Sequence, residues 1–342
     1  MKGHFEGRIY TDISPDWELR TKGNPFMAPE MLRLLKAANP NEFRLVTHKD
    51  YCCCEYTTKI NLLTFCRFRL NIKLNVIGLP ASLCTPGYVG SLQSLVRDYK
   101  KRRGLFLILN LEERRNDAEA AVGLTLGNCV FTNRFTNFDE YLLDLKSGYR
   151  RRVSVALKKG AKLRWESVAS YDFTNEMYQL YQSVFQHSRY PLECLTVEFF
   201  RSFPGELHCL YEGAEPLAFV LLHEAGDKLS FVFGGMDYGK RDQYDLYMNM
   251  LIFIIRKCIE KECLFADLGQ TAENSKMRIG ATVSPRYLCV FSGNPVINAI
   301  LKKTIGVFSY KSERSSHSVW NADVAKKIEE GALSIRPAIK IS

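Results

Sequence analysis

The stretch FADLGQTAENSKMRIGA, residues 265–281, decides how this chain is read. It opens on an apolar approach that ends on one acid, Asp267. A glycine and a run of small polar residues follow, then a basic, helix-prone piece from Lys276 to Arg278, and Gly280. The pattern predicts a buried strand that delivers a carboxylate to its C-terminal end, with a turn and a short helix behind it. Ligands of open sheets gather at such ends. Asp267 is therefore a candidate base: a carboxyl buried there would have a raised pKa and could take a proton from an attacking amine. The competing reading is a cap on its own turn. Lys276 is placed to pair with Asp267, bind a phosphate or stabilise an oxyanion, unless it is a solvated helix lysine. Gln270 and Asn274 are candidate substrate-orienting groups.

Upstream of this stretch the elements follow in a regular order. KLRWESV is a strand, TNEMYQLYQSVFQHS a helix with Met177, Leu180, Tyr181 and Val184 on one face, and TVEFFRSFPG a second short helix. ELHCLYEGAEPLAFVLLHEAGDKLSFVFGG reads as a three-stranded meander with turns at Gly213 and Gly226. YDLYMNMLIFIIRKCIEKE, Tyr244 to Glu262, reads as a long, largely buried helix. Downstream, RYLCVFSG is a last strand and NPVINAILKKTIG a C-terminal helix.

The first half of the chain has a similar but less complete set: a helix (APEMLRLLKAAN), strands, a Pro/Gly loop (PASLCTPGYVGS), a helix (LQSLVRDYKKRR) and two strands. In CRFRLNIKLNVIG, Phe68, Leu70, Ile72, Leu74 and Val76 alternate onto one face. Between the halves, Thr136 and Asp139 suggest a capping box, and Leu142, Leu145, Tyr149, Val153 and Ala156 keep one helical face. Eight Lys or Arg lie from Lys146 to Arg164.

Size and composition bound the answer. A chain of 342 residues with 46% hydrophobic and 25% charged residues is natural for two globular domains. No apolar run is long enough to cross a membrane and the N-terminus lacks a signal-peptide core, so a cytoplasmic location is expected. Eleven cysteines occur without zinc spacing. Cys52, Cys53 and Cys54 stand in a row, so neighbours point to opposite faces and cannot converge on one metal. No metal is expected. A net charge of +10 suggests an anionic partner: a phosphate-bearing cofactor, a nucleic acid or an anionic membrane face. A solvated outer face is the plain reading of the basic helix. Its aromatic interleaving is poor, which argues against sequence-specific reading of single-stranded RNA.

The element order from about residue 163 resembles the Gcn5-related N-acetyltransferase (GNAT) fold. Two such halves joined by a basic helix resemble the FemABX branch of that superfamily and the related bacterial domain of polysaccharide and cell-wall clusters. The residues that carry the likeness are FDEYLLDLKSGYRRRVSVALKKGAKLRWE and FVFGGMDYGKRDQYDLYMNMLIFIIRKCIEKECLFADLGQTAENSKMRIGA. The resemblance implies an α+β fold of two GNAT-like halves, each a mixed, mostly antiparallel sheet flanked by helices. The expected division is a degenerate N-terminal domain, 1–137, and an acyltransferase domain, 138–335, that includes the linking helix 138–160.

The resemblance also implies chemistry. An acyl group would pass directly from a thioester or ester to an amine-bearing small molecule or cell-wall precursor. The fourth and fifth strands of the fold splay, and Gly234 and Gly235 would let backbone approach the acyl group there. Asp237 is a second candidate base, or an acid at a helix start. The usual Gly-x-Gly that cradles the coenzyme A pyrophosphate is absent from YGKRDQYD, so Lys240 and Arg241 would attract phosphate by charge, with Tyr244 nearby. Acyl-coenzyme A follows from the superfamily, and aminoacyl-transfer RNA from the two-half layout, the basic helix and the missing glycine. A non-catalytic anion-binding module is the third reading. Membrane-surface contact through the basic helix is open, and DNA is not expected. His223 and Glu224 come late in a strand, where His223 is a natural base but a satisfied surface pair is the plainer reading. His187 sits at a helix end with no evident partner, and Cys263 and Cys289 are placed in core strands, where thiols are inert.

Overall fold

A computed structural model describes residues 4–38, 43–61, 71–81, 83–114, 119–188, 194–310, 317–322 and 326. The second half begins with β8 (Arg164–Val168), α6 (Asn175–His187) and α7 (Val197–Ser202). The meander is β9 (Glu206–Glu212), β10 (Glu215–Ala225) and β11 (Lys228–Met236). Left-handed Gly213 and Gly226 make its two tight turns, where a side chain would be strained. Then come α8 (Arg241–Tyr244), α9 (Leu246–Glu260), β12 (Phe265–Asp267), α10 (Glu273–Met277), β13 (Thr282–Ser292) and α11 (Pro295–Phe308).

The first half holds β1 (Arg8–Tyr10), α1 (Trp17–Thr21), α2 (Pro29–Ala38), β2 (Phe43–His48), β3 (Tyr51–Asn61), β4 (Asn71–Ile77), β5 (Tyr88–Gly90), α3 (Leu92–Tyr99), β6 (Leu105–Leu111) and β7 (Ala121–Thr132). Phe68, Leu70 and the side chain of Ile72 lie outside the described residues; Leu74 and Val76 are buried as their alternation requires. Cys52, Cys53 and Cys54 are all buried, because β3 is covered on both faces.

Both halves share one sheet, in the order β1-β2-β3-β4-β6-β13-β7-β12-β11-β10-β9-β8, with β5 beside β3. The middle of that order crosses the chain. β13, from the second half, pairs with β6 of the first. β7, from the first half, pairs with β12 of the second. The two exchanged strands also pair with each other. Each half thus completes the other's sheet.

The link between halves differs from the single helix expected. It is two helices, α4 (Phe138–Asp144) and α5 (Ser147–Lys159), broken at Leu145. Leu145 turns extended and bridges to Trp320, which packs against Phe131, Phe135 and Tyr141. The cap of α4 is Asn137, whose side chain accepts from Glu140 N–H at 2.9 Å, while Glu140 accepts from Thr136 N–H at 2.8 Å. The box is therefore Asn137 with Glu140, the longer acid that reaches back where Asp139 would fall short.

Candidate active site

β11 and β12 run parallel and pair only over Lys228–Ser230 with Phe265–Asp267. Beyond Ser230 the two strands part, since β11 continues to Met236 while the chain leaves β12 at Leu268. The gap opens a cavity of roughly 290 Å³. Its walls include Phe231, Phe233 and Gly234 from β11, Tyr181 and Phe185 from α6, and Tyr247 and Met250 from α9. Lys228, Asp267, Gln270 and Lys276 are among its polar side chains, and Phe26, Leu83, Cys84 and Thr85 close it from the first half.

In the first half, the matching parallel pair is Leu74–Ile77 with Leu105–Ile108. There the loop after β4 turns back at once: Gly78 N–H donates to Cys54 O, and Cys54 N–H to Gly87 O. A Cβ on Gly87 would lie 2.3 Å from the Gly78 carbonyl carbon, so only glycine permits this closure. The same loop carries Leu83, Cys84 and Thr85 into the second half's cavity.

Asp267 stands at the end of β12 and is 8% exposed. It does both things considered for it. One oxygen accepts from Gly269 N–H at 3.0 Å and caps its own turn. The other pairs with Lys228 at 2.7 Å, and the residue lines the cavity. Lys276 is 2% exposed, with Nζ donating to Gly269 O at 3.1 Å and Gln270 O at 2.7 Å. Two carbonyls thus fix the ammonium and leave its third hydrogen for another acceptor. Burial lowers its pKa to about 8, against the ordinary 10.5.

Gln270 lines the cavity but is held from the first half, donating to Leu126 O at 2.6 Å and Asn110 Oδ1 at 3.2 Å. Asn274 is not in the cavity wall; its Oδ1 lies 2.5 Å from His317 Nε2. Of the two glycines, Gly234 lines the cavity. Gly235 faces α6, where a Cβ would come within 2.6 Å of Tyr181 N. Asp237 caps the turn after β11, accepting from Gly239 N–H at 2.7 Å, and does not line the cavity.

Lys240, Arg241 and Tyr244 also lie away from it. Lys240 pairs with Glu215 at 2.6 Å and Glu212 at 3.3 Å. Arg241 pairs with Asp242 at 2.8 Å, and Tyr244 donates to Glu212. The helix start they border is closed. Asp245 joins α8 to α9 in a left-handed conformation (φ 54°), and Arg152 of α5 grips both its carboxylate oxygens. Asn249 donates to Ala156 O at 2.9 Å and Tyr244 O at 2.8 Å, so α5 lies directly on this end of α9.

Lys228 and Cys84 escaped the sequence reading. Lys228 opens β11 and carried no motif. Cys84 belongs to a loop distant in sequence, and burial pushes its thiol up to about 12.

Residues 146–277 match the family model described as the acetyltransferase (GNAT) domain. L-PGS from Bacillus licheniformis superposes with a TM-score of 0.52 at 12% identity, covering 86% of this chain and 98% of that one. FemX superposes with a TM-score of 0.51 at 11% identity, covering 86% of this chain and 100% of that one. No curated protein matches the sequence. Residues 146–277 are thus similar to the GNAT domain, and the α+β fold as a whole resembles that of FemX and L-PGS. Among the described residues, no helix is long and apolar enough to cross a membrane.

Proposed function

We propose that this chain is an N-acyltransferase that works in the gap between β11 and β12. The observation that carries this reading is Lys276: a buried ammonium, fixed by two carbonyls, in the wall of the cavity where the strands part. The amine nitrogen of the acceptor attacks the carbonyl carbon of the acyl donor. The carbonyl oxygen gains the negative charge, and the free hydrogen of Lys276 stabilises it in a site shielded from water. Asp267 takes the proton that the nitrogen sheds, with Lys228 holding its second oxygen. Collapse of the tetrahedral species breaks the bond from the acyl carbon to the donor's oxygen or sulfur, which receives the proton held by Asp267 and departs with its carrier as an alcohol or thiol, leaving an amide.

We infer further that the donor is an ester on an anionic carrier, aminoacyl-transfer RNA by the FemABX resemblance. The residues at the α9 start do not fit a pyrophosphate: Arg152 and Asp245 neutralise each other there, and Lys240 and Arg241 already face carboxylates. The exposed Arg151 and Lys158 of α5, on a chain of net charge +10, suit a nucleic-acid backbone. Acyl-coenzyme A is the second reading, favoured by the GNAT domain itself. Labelled acetyl-coenzyme A and bulk transfer RNA charged with labelled amino acids, each supplied with an amine, separate the two. Transfer from charged transfer RNA alone is expected. Transfer from acetyl-coenzyme A alone overturns the ester donor. No transfer from either, with Lys276→Met indistinguishable from the wild type, overturns the enzyme.

A further inference from the structure

The cavity between β11 and β12 has two unlike faces. Val232 has no counterpart on β10, because Leu222 pairs with Phe231 and Leu221 with Phe233. The extra residue bends β11 just beyond Ser230, where its pairing with β12 ends. From there Gly234 looks toward Met250 of α9, and Gly235 toward Tyr181 of α6. On the α9 face the wall is Phe231, Gly234, Met236, Tyr247, Met250 and Leu268, all but the glycine part of one apolar core. Apart from the Tyr247 hydroxyl, the side chains of that face are hydrocarbon and thioether. Phe231 and Tyr247 keep part of their surface open.

The other face is mixed. Tyr181, Phe185 and Phe233 stand there with Lys228, Ser230 and Asp267. Ala266 packs into the α9 core, so Asp267, next in the strand, turns away from it, as Lys228 does beside Leu229. Lys276 stands at the divide, on the two carbonyls where the chain leaves β12. This division assigns the reactants. The base, Asp267, faces the α6 side, so the amine loses its proton there, and the acyl group takes the α9 side with its carbonyl at Lys276. Among the described residues, Asp267 is the carboxylate that lines the cavity, and Lys228 already holds it. A cationic acyl group would meet Lys276 with no charge to offset it. A small one would leave the apolar wall without contacts. The volume agrees. An apolar cavity of about 150 Å³ takes up benzene. The whole cavity here, roughly 290 Å³, has room for one such group beside the reacting carbonyl and amine.

We propose that the α9 face selects a large apolar acyl group, one of the size of a leucyl or phenylalanyl side chain. That the bound group is the acyl group rests on the transferase reading; the apolar binding does not. Each buried methylene is worth about 4-fold in affinity, so a leucyl side chain should bind at least ~10-fold tighter than an alanyl one. Gly234 sets the size limit. A Cβ there would stand 2.7 Å from the Met250 tip and 2.8 Å from the Phe231 ring, and would push both into the space.

Ligand-observed NMR on the full chain tests this with the N-acetyl amides of phenylalanine, leucine, tryptophan, alanine and lysine. Saturable binding of the phenylalanine and leucine probes is expected, at least ~10-fold tighter than alanine, with lysine no better than alanine. Gly234→Ala should weaken the phenylalanine probe about 10-fold and leave the alanine probe as it was. Met250→Ala opens the same wall and should improve tryptophan relative to phenylalanine. If one variant fails to fold, the other decides the matter. No binding by any probe, equal binding of phenylalanine and alanine, or a preference that neither variant moves overturns the pocket. Transfer then identifies the bound group. Transfer RNA charged with labelled leucine or phenylalanine should outperform that charged with glycine or lysine, and phenylacetyl-coenzyme A should outperform acetyl-coenzyme A if the donor is a thioester. Transfer indifferent to the acyl group, with the probe preference intact, means that the amine fills this face and overturns the assignment while keeping the enzyme. Selective probe binding in a chain that transfers nothing keeps the apolar face and removes the enzyme.

Discussion

Lys276 carries a titration whose sign can be worked out. Its folded pKa of about 8 lies below its ordinary 10.5. Between those values the unfolded chain holds more protons, so stability rises with pH across that window. Below pH 8 the charged form is buried at a cost of about 3 kcal/mol. Lys276→Met removes the titration. Its unfolding free energy relative to the wild type should therefore fall as pH goes from 8 to 10, measured by urea unfolding; a constant difference would show that the lysine is not desolvated. Catalysis should follow the same proton in the opposite sense. If the ammonium stabilises the oxyanion, kcat/KM declines as pH rises through about 8, and Lys276→Met loses about 10²–10³-fold in kcat. A rate that climbs through that pH would instead make the lysine a base. Asp267→Asn keeps an oxygen for Gly269 N–H but loses the charge, so activity should fall about 10²–10⁴-fold in a chain with an unchanged circular dichroism spectrum. Asp267 and Lys276 were legible in sequence because an apolar strand running into polar residues marks a strand end. Lys228, the partner of Asp267, was not, since it stands on another strand and only the parallel pairing brings it to Asp267.

At the scale of elements, two adjacent glycines answer to different neighbours. Gly235 lets α6 lie against β11: a Cβ there would sit 2.6 Å from Tyr181 N and 2.7 Å from the Leu180 carbonyl carbon, and backbone cannot step aside. Gly235→Ala should cost about 1–3 kcal/mol or more, seen as a lower midpoint in urea. Gly234 meets the end of the flexible Met250 side chain at 2.7 Å, with the Phe231 ring at 2.8 Å and Phe219 O at 3.0 Å. Gly234→Ala should cost less stability and act instead on KM, because that residue lines the cavity. Reversal of that order would place the substrate elsewhere. Helices and meander were readable from periodicity and turn glycines. The break at Leu145 was not, because it depends on a long-range bridge to Trp320 that no local pattern announces. The basic residues at the α9 start were misleading for a related reason. Sequence shows their charge but not the facing Glu212, Glu215 and Asp242 that cancel it.

At the scale of the molecule, the division at residue 137 cuts a sheet that is continuous. Separated after that point, the first piece would hold β7 without β12 and β13, and the second would hold β12 without β7. Neither piece should give a cooperative melt alone, whereas the two expressed together should restore one. The intact chain should unfold in a single transition by fluorescence and circular dichroism alike, and two resolved transitions would mean that the halves are energetically independent. The repeated element order was visible in sequence. The exchange was not, because a strand's sequence records how its faces are buried and not which neighbour it lies beside.

The same exchange sets an order of events during synthesis. Leu105 finds its partner in Ser292, and Phe106 in Phe291, far along the sequence. Until those residues leave the ribosome, β6 has an open edge and β7 has no neighbour on either side. Pairings so distant along the chain are slow to form, and a long unpaired edge is a template for aggregation. The nascent first half therefore waits, incomplete, until β13 has been made. Its yield in a cell should depend on chaperones that shield a bare strand until the last piece of the sheet arrives.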